Sequence, residues 1–510
     1  MKKMKKIMAL MLAAIMMMAM SVTTFAAETT RSLTVNAKGG QDLKGQTINL
    51  YKLFDVTESG EAPNKNYAYT VNTQYKATLA SVLGIGADSK DEEFAAKVTE
   101  LGKDNSTEVQ NFANTFTTKA LESKLAVTAT SGKITKDSNK TSYTFDNLTA
   151  GYYLVYVTGG KEIQSSLVTV DAGTTNVDLK TEAPNIVKTA NKTTVNIGDV
   201  VTYTVKGSIP DTTGYAQYVY KIHDELSTGL DFVNDATGTA YEGNSVKVTV
   251  AFTDTSLTVG GTTPATATLD TANNRKMSLD LSEWVRDNQA NKGKEFTVTY
   301  YAKVNKDAVV TEKNKAQLEY GNKPGETTTT TPSEAKTPTY PLDILKIKKD
   351  SNVKLAGAKF SLYTSEADAK NGTNPIKVTG NSGNYVVDST STTTEFESVE
   401  NIEGKGYNLR VNGLAEGTYY LVETKAPDGF NKLTAPVKIT ITKSTDAEVN
   451  NWTISKDGTV ENDKVIDIAN STGSLLPSTG GRGAIAFAVI AALLVFGVAV
   501  SFIRDKRKEA

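Results

Sequence analysis

The sequence predicts an all-β protein: a row of β-sandwich domains, the first carrying a helical insertion. Two observations predict it. Thr, Val, Tyr and Ile recur at period two through most of the chain, interrupted by Gly and Pro, the signature of short antiparallel strands with one buried face. Of the 510 residues, roughly 450 lie between two apolar terminal stretches, enough for three ordinary domains rather than one.

The first domain is expected over residues 27–183. Leu33 to Val35 and Thr47 to Phe54 read as strands, broken by Gly39-Gly40 and Gly60. A helical insertion follows, with Phe94, Val98 and Leu101 on one face and Val109, Phe112 and Phe116 on another, and Asn105-Ser106 as a candidate N-cap. Strands resume at Ser142–Phe145 and Gly151–Val157 and end near Val177–Lys180, before the Glu182-Ala183-Pro184 break.

The second domain is expected over 184–336. Its strands begin at Asn185-Ile186-Val187-Lys188 and Gly198–Val205, continue at Tyr218–Ile222, Ser245–Phe252 and Glu295–Val304, and close at Asn314–Tyr320. Many short strands separated by turn signals read as a sandwich. Thr327–Thr331 is a low-complexity run read as a solvated loop or a linker. The third domain, over 340–470, begins at Leu342–Lys346 and continues through Leu355–Tyr363 and Gly417–Thr424. A turn follows at Ala426-Pro427-Asp428-Gly429-Phe430, and the last strand is Val465–Asn470.

The two ends read as addresses. Lys2, Lys3, Lys5 and Lys6 precede an apolar stretch from Ile7 to Met20, and Thr24-Phe25-Ala26 supplies a small-residue cleavage site. Residues 1–26 are thus read as a secretory signal peptide, outside the fold. At the other end, residues 476–510 hold Leu476-Pro477-Ser478-Thr479-Gly480, an unbroken apolar run from Ala484 to Ile503, and the basic tail Arg504-Asp505-Lys506-Arg507-Lys508. A run of that length spans a bilayer core, with the basic tail on the cytoplasmic side. The exported chain has no cysteine, so any covalent staple must come from other chemistry. A net charge of −1 presents no basic field for nucleic acid, and the single histidine, His223, removes His-cluster metal sites and most triad hydrolases. No metal-ligand spacing of the EF-hand type is present; Asp91-Glu92-Glu93 reads as a solvated helix start.

The C-terminal triad of features resembles the cell-wall sorting signal of Gram-positive surface proteins. The resemblance implies that a membrane transpeptidase, sortase, cuts between Thr479 and Gly480 and passes the Thr acyl group to an amine. An ordinary single-span anchor would require three independent features to coincide by chance. Within 340–470, Lys346-Ile347, LAGAKFSLY, GTYYLVETKAPDGF and the closing Ile468-Ala469-Asn470 resemble the CNA-B type of Ig-like domain found in Gram-positive pilins and adhesin stalks. That family implies a self-made bond between a Lys amine and an Asn carboxamide, assisted by a carboxylic acid.

Alternation bears on which residues would serve. Leu342, Ile344 and Lys346 share a face, and Ile466, Ile468 and Asn470 share another. The resemblance therefore assigns Lys346 and Asn470 as the bonded pair and Glu423 as the acid, with Lys348 as the runner-up nucleophile. The second domain resembles the middle domain of backbone pilins, with Lys188 and Asn314 as the pair. Asp224, on the face of Ile222, is its acid, Glu225 the alternative, and His223 points away. The first domain has Tyr156 where the third has Glu423, so no cross-link is expected there.

Backbone pilins also need an acceptor lysine at the end of their first domain. Lys180, in Val177-Asp178-Leu179-Lys180 before Pro184, occupies that place, with Asp-Leu where the family has Tyr-Pro; the plain alternative is one more exposed lysine. The implied function is the structural shaft subunit of a covalently polymerised, wall-anchored pilus supporting adhesion, Thr479 of one subunit joined to Lys180 of the next. It would not be an enzyme on external substrates and would need no cofactor. The implied partners are identical subunits, a pilin sortase and a housekeeping sortase, peptidoglycan and minor pilins, with a host surface left open. The alternatives are a monomeric anchored adhesin or a minor or basal pilin; a surface hydrolase on such stalks is disfavoured by the near absence of histidine.

Overall fold

A computed structural model describes residues 31–60, 66–102, 106–139, 141–158, 165–171, 174–180, 182–213, 215, 217–321, 327–444, 449–473 and 482–506. The expected signal peptide, Asn105 and the Leu476–Gly480 motif lie outside the described residues. Two compact units emerge: the first ends at Tyr340 and the second begins at Pro341, with 413–416 and 445–451 counted in the first. The expected boundary near residue 183 falls inside the first unit, yet among the described residues no sheet draws strands from both sides of it.

In the first unit, residues 31–178 form two sheets. One orders Ser142–Leu148, Arg31–Asn36 and Thr174–Asp178; the other orders Asn66–Val71, Thr47–Ser59, Gly151–Val157 and Ser166–Val170, with Ala129–Lys133 also on Thr47–Ser59. Leu33, Val35, Ile48, Leu50, Val155 and Val157 fill the space between them. The far face of the larger sheet is covered by helices, which bury Tyr51, Phe54 and Leu154 against Phe94, Phe112 and Phe116. Both faces of Thr47–Ser59 are therefore packed, and its centre is buried without alternation. The helical insertion comprises Lys76–Leu83, Asp91–Glu100 and Thr107–Glu122. Ser106 caps the last of these, its hydroxyl accepting from Val109 N at 3.2 Å. Lys76–Leu83 is additional to the expectation, since it buries only Leu79 and Ala80 and shows little periodicity.

Residues 187–336 form a sandwich. One sheet orders Leu230–Val233, Glu295–Val304, Val200–Ser208 and Val187–Ala190, with Thr249–Phe252 on Glu295–Val304. The other orders Ser245–Lys247, Thr266–Leu269, Lys276–Asp280, Val219–Leu226, Lys313–Gly321 and Thr328–Thr329, with Ser333–Lys336 also on Lys313–Gly321. Two expectations are corrected here. Ser245–Phe252 is two strands, because the chain passes from one sheet to the other at Val248. The Thr run is not loop throughout: Thr328 and Thr329 pair with Tyr320 and Glu319, β-branched residues being at home on a sheet edge.

The second unit is likewise two sheets. One orders Val378–Asn381, Asn384–Val387, Leu409–Leu414, Tyr340–Lys348 and Val465–Asn470; the other orders Phe396–Glu397, Lys359–Tyr363, Gly417–Lys425, Val437–Thr442, Thr453–Lys456 and Thr459–Val460. The terminal strands of this domain are parallel neighbours, Lys346 opposite Ile468 and Lys348 opposite Asn470. Beyond them, Arg482–Lys506 is one helix with Phe487, Leu493, Leu494 and Phe496 exposed. Among the described residues no helix is long and apolar enough to cross a membrane, so the expected span returns below only as a proposal.

Candidate functional site

Alternating burial turns three polar residues inward in each of two sandwiches. In the middle one, Lys188 stands opposite the buried Val205, in a strand pairing that runs on to the buried Tyr203. Asp224 and Asn314 reach in from the other sheet, on adjacent strands where Asp224 faces Ala316 and Leu226 faces Asn314. The Lys188 and Asp224 side chains are wholly buried, with Nζ 2.6 Å from Oδ2. Tyr300 joins them. Its hydroxyl accepts from Lys188 Nζ and donates to Asp224 Oδ2, and Asn314 Nδ2 donates to it at 3.4 Å. The rings of Tyr203 and Tyr300 each lie 4.6 Å from Nζ.

Burial penalises charge on every member of this cluster. It pushes Lys188 down to about 8, against the pull of Asp224, and it raises Asp224. The two shifts agree: both favour an uncharged amine beside a protonated carboxyl.

The third-domain cluster is built from different strands. Lys346 and Asn470 come from the parallel terminal pair, and Glu423 from Gly417–Lys425 in the opposite sheet. The Lys346 and Glu423 side chains are fully buried, Nζ 2.9 Å from Oε1, and Phe360 lies 5.5 Å from Nζ. Asn470 Nδ2 donates to Glu423 Oε2 at 2.8 Å and to the Asn431 carbonyl at 2.7 Å. Leu433 N donates to the same carboxyl oxygen at 2.8 Å. Burial lowers Lys346 as it does Lys188.

In both clusters the carboxamide oxygen, Asn314 Oδ1 or Asn470 Oδ1, is buried without a hydrogen-bond partner. An unmet buried acceptor costs about 1–3 kcal/mol, so its recurrence at matching places calls for a reason. A neutral amine, a carboxylic acid and an open amide carbonyl are what amide exchange between side chains requires.

The runners-up lie elsewhere. Lys348 is exposed at its strand end, and Glu225 is exposed and ion-paired with Lys276 at 3.5 Å. His223 points away from the cluster and contacts Glu319 at 2.7 Å. In the first domain Tyr156 is buried, its hydroxyl 3.2 Å from that of Tyr215. A lysine that was not expected, Lys52, is also buried there, with Thr149 at 2.5 Å and Asp55 as partners. Lys180 is exposed just beyond Thr174–Asp178 and borders a cavity of about 510 Å³.

Sequence reasoning missed Tyr300 and Asn408. Tyr300 had a signal: it follows Phe296 and Val298 on the inward face of its strand. Asn408 had none. Wholly buried, it accepts from Lys346 N at 2.7 Å, and its amide donates to the carbonyls of Lys346, Leu355 and Val399 at 3.2, 3.1 and 2.8 Å. It fixes the backbone that carries the third-domain lysine.

Comparison with known proteins then bears on both clusters. Residues 197–324 match the family described as Gram-positive pilin backbone subunit 2, Cna-B-like domain. This segment is similar to a pilin backbone domain. Residues 341–456 match the family described as SpaA, prealbumin-like fold domain. The pilin backbone match contains Asp224, Tyr300 and Asn314, and the prealbumin-like match contains Lys346 and Glu423. No curated protein matches the chain.

Among solved structures, the T6 backbone pilin of serotype M6 Streptococcus pyogenes is 15% identical, covering 88% of this chain and 100% of its own, at a TM-score of 0.44. The Corynebacterium diphtheriae major pilin SpaA is 17% identical over 87% of this chain and 100% of its own, at 0.41. Full-length RrgB, the major pilin of Streptococcus pneumoniae, is 14% identical over 88% and 100%, at 0.40. Likenesses at that level add nothing to the assignment of the clusters.

Truncating Asn408→Ala removes four hydrogen bonds and strips Lys346 N and O of this partner. The expected loss is about 1–3 kcal/mol, read as a lower denaturation midpoint of the second unit and faster hydrogen exchange at the Lys346 amide.

Proposed function

We propose that this chain is the shaft subunit of a covalently polymerised pilus on a Gram-positive cell wall. In this reading the two buried clusters make internal isopeptide bonds, Lys188 to Asn314 and Lys346 to Asn470. The observation that carries it is the repetition of one buried lysine, acid and asparagine constellation in two sandwiches, inside or beside the segments that match pilin-type families.

The chemistry follows from the groups present. The neutral amine attacks the asparagine Cγ, and the acid, Asp224 or Glu423, protonates the carboxamide oxygen as its π electrons withdraw. The amine's surplus proton reaches the amide nitrogen, the C–N bond breaks, and ammonia leaves as the acid recovers its proton. One N–C bond forms for each one broken, and the reaction turns over once. The first domain, with Tyr156 in the acid's place, makes no such bond. Tension in a shaft enters a sandwich through its terminal strands; the third-domain bond ties its first strand to its last, and the middle bond ties its first strand to Lys313–Gly321, which only the short strands Thr328–Thr329 and Ser333–Lys336 follow.

Assembly rests on the sorting signal. Sortase cleaves between Thr479 and Gly480, held outside a membrane by the Ala484–Ile503 span, and passes the Thr acyl group to Lys180 of the next subunit. The exposure of Lys180 beside a cavity supports its role as acceptor. Donor and acceptor at different sites make a head-to-tail contact that does not close on itself. The base of the polymer then passes to peptidoglycan, and minor pilins join it by the same chemistry.

Intact and tryptic mass spectrometry of segment 28–474 tests the internal bonds. The expected mass is short by two ammonia molecules, with cross-linked peptides containing Lys188 with Asn314 and Lys346 with Asn470; the full theoretical mass refutes them. Lys180→Ala tests the assembly: it is expected to abolish the high-mass ladder in sortase-competent cells while leaving single subunits on the wall. An unchanged ladder would assign the acceptor elsewhere, and the absence of any ladder in the parent would favour a monomeric adhesin.

The pH dependence has a definite sign. The reactive middle pair holds one proton, on Asp224, with Lys188 neutral. Removing that proton leaves a carboxylate that cannot protonate the carbonyl, and adding one makes a lysinium that cannot attack. With Lys188 held at about 8, Lys188–Asn314 formation on refolding is expected to fall about tenfold per pH unit above about pH 8 and to fall again in acid. Time-resolved mass spectrometry reads the rate; one that rises steadily to pH 10 contradicts the assignment.

A further inference from the structure

The middle cluster has a fourth polar member that the third-domain cluster lacks. The Tyr300 hydroxyl touches the nucleophile, the acid and the carboxamide nitrogen at once. In the third domain the ring near the lysine is Phe360, without a hydroxyl, and Asn470 Nδ2 contacts the longer acid directly. We infer that Tyr300 is a catalytic residue of the middle domain, its hydroxyl relaying the proton from Lys188 Nζ to the departing Nδ2 of Asn314. The inference rests on the cross-linking reading of Lys188 and Asn314 given above.

The relay balances. When the Nζ lone pair has joined Cγ, the nitrogen carries an extra proton and Oδ1 holds the proton from Asp224. Tyr300 Oη accepts the proton from Nζ while its own phenolic proton passes to Nδ2. The Cγ–Nδ2 bond then breaks with its electron pair on nitrogen, releasing ammonia. Oδ1 returns its proton to Asp224 as the carbonyl re-forms. Tyrosine and aspartate end as they began, and the sole by-product is ammonia.

Two neighbours sharpen the assignment. Tyr203 presents its ring at the same 4.6 Å from Nζ, but its hydroxyl is turned to Thr337 Oγ1 at 3.3 Å. It shares the packing duty of Tyr300 without the relay. Burial also raises Tyr300 well above the ordinary phenol range, so it serves as a neutral donor and acceptor throughout.

The test follows both links by time-resolved mass spectrometry as segment 28–474 refolds. Tyr300→Phe is expected to slow the Lys188–Asn314 link by about 100-fold and to leave the Lys346–Asn470 link, an internal control, unchanged. Tyr203→Phe is expected to form both at the parent rate. A parent rate in Tyr300→Phe, or equal slowing in Tyr203→Phe, overturns the relay while leaving the cross-link reading intact. A parent protein without the Lys188–Asn314 link overturns both. As a variant that keeps the packing, 3,5-difluorotyrosine at position 300 lowers the phenol's pKa. It is expected to change the Lys188–Asn314 rate while leaving the Lys346–Asn470 rate at the parent value, and two unchanged rates overturn the relay.

Discussion

A lysine amine held in an apolar interior beside a buried carboxyl is the constraint on which this molecule turns. Moving either ion alone out of water costs several kcal/mol, and their attraction repays it only with good geometry. An uncharged pair escapes most of that cost, and burial pushes Lys188 and Asp224 toward it from opposite sides. The sandwich supplies the conditions: rings over the amine, strands that aim each group inward, and hydrogen bonds on one face of the carboxyl only. The buried carboxamide oxygens are left without hydrogen-bond partners, open to a proton from the neighbouring acid.

The two sandwiches meet this constraint with different strands. In the third domain the lysine and asparagine strands are parallel neighbours, and a glutamate reaches across from the other sheet to contact both. In the middle domain the lysine lies in one sheet, while the acid and the asparagine lie on adjacent strands of the other. Its acid is an aspartate, one methylene shorter. The Tyr300 hydroxyl stands where lysine, aspartate and asparagine all reach it.

What could be read from the sequence was whatever alternation controls. Lys346 follows Leu342 and Ile344 at period two, and Asn470 follows Ile466 and Ile468; all six are buried. Which strand faces which was not legible from period alone, and the assignment of partners leaned on family resemblance. Asn408 escaped because its role lies in backbone hydrogen bonds to strands more than forty residues away in sequence. The edge strand at Thr328–Thr329 escaped for a related reason: its pairing is made by main-chain groups, and a uniform Thr run has no alternation to report it. The break at Val248 was hidden because both halves continue the same period while changing sheet.

The absence of cysteine would give the proposed cross-links their physical meaning. A staple stabilises chiefly by removing freedom from the unfolded chain, and the gain grows with the loop it closes, reaching about 4–5 kcal/mol for a loop near 100 residues. Bonds from Lys188 to Asn314 and from Lys346 to Asn470 would each enclose nearly a whole sandwich, the long-loop limit of that argument. An amide, unlike a disulfide, is indifferent to the redox state outside the cell. In the third domain a force applied to the ends would then pass from first strand to last through one covalent bond, and the hydrogen-bonded strands between would carry little of it. In such a chain the core need only be stable enough to bring three side chains together once.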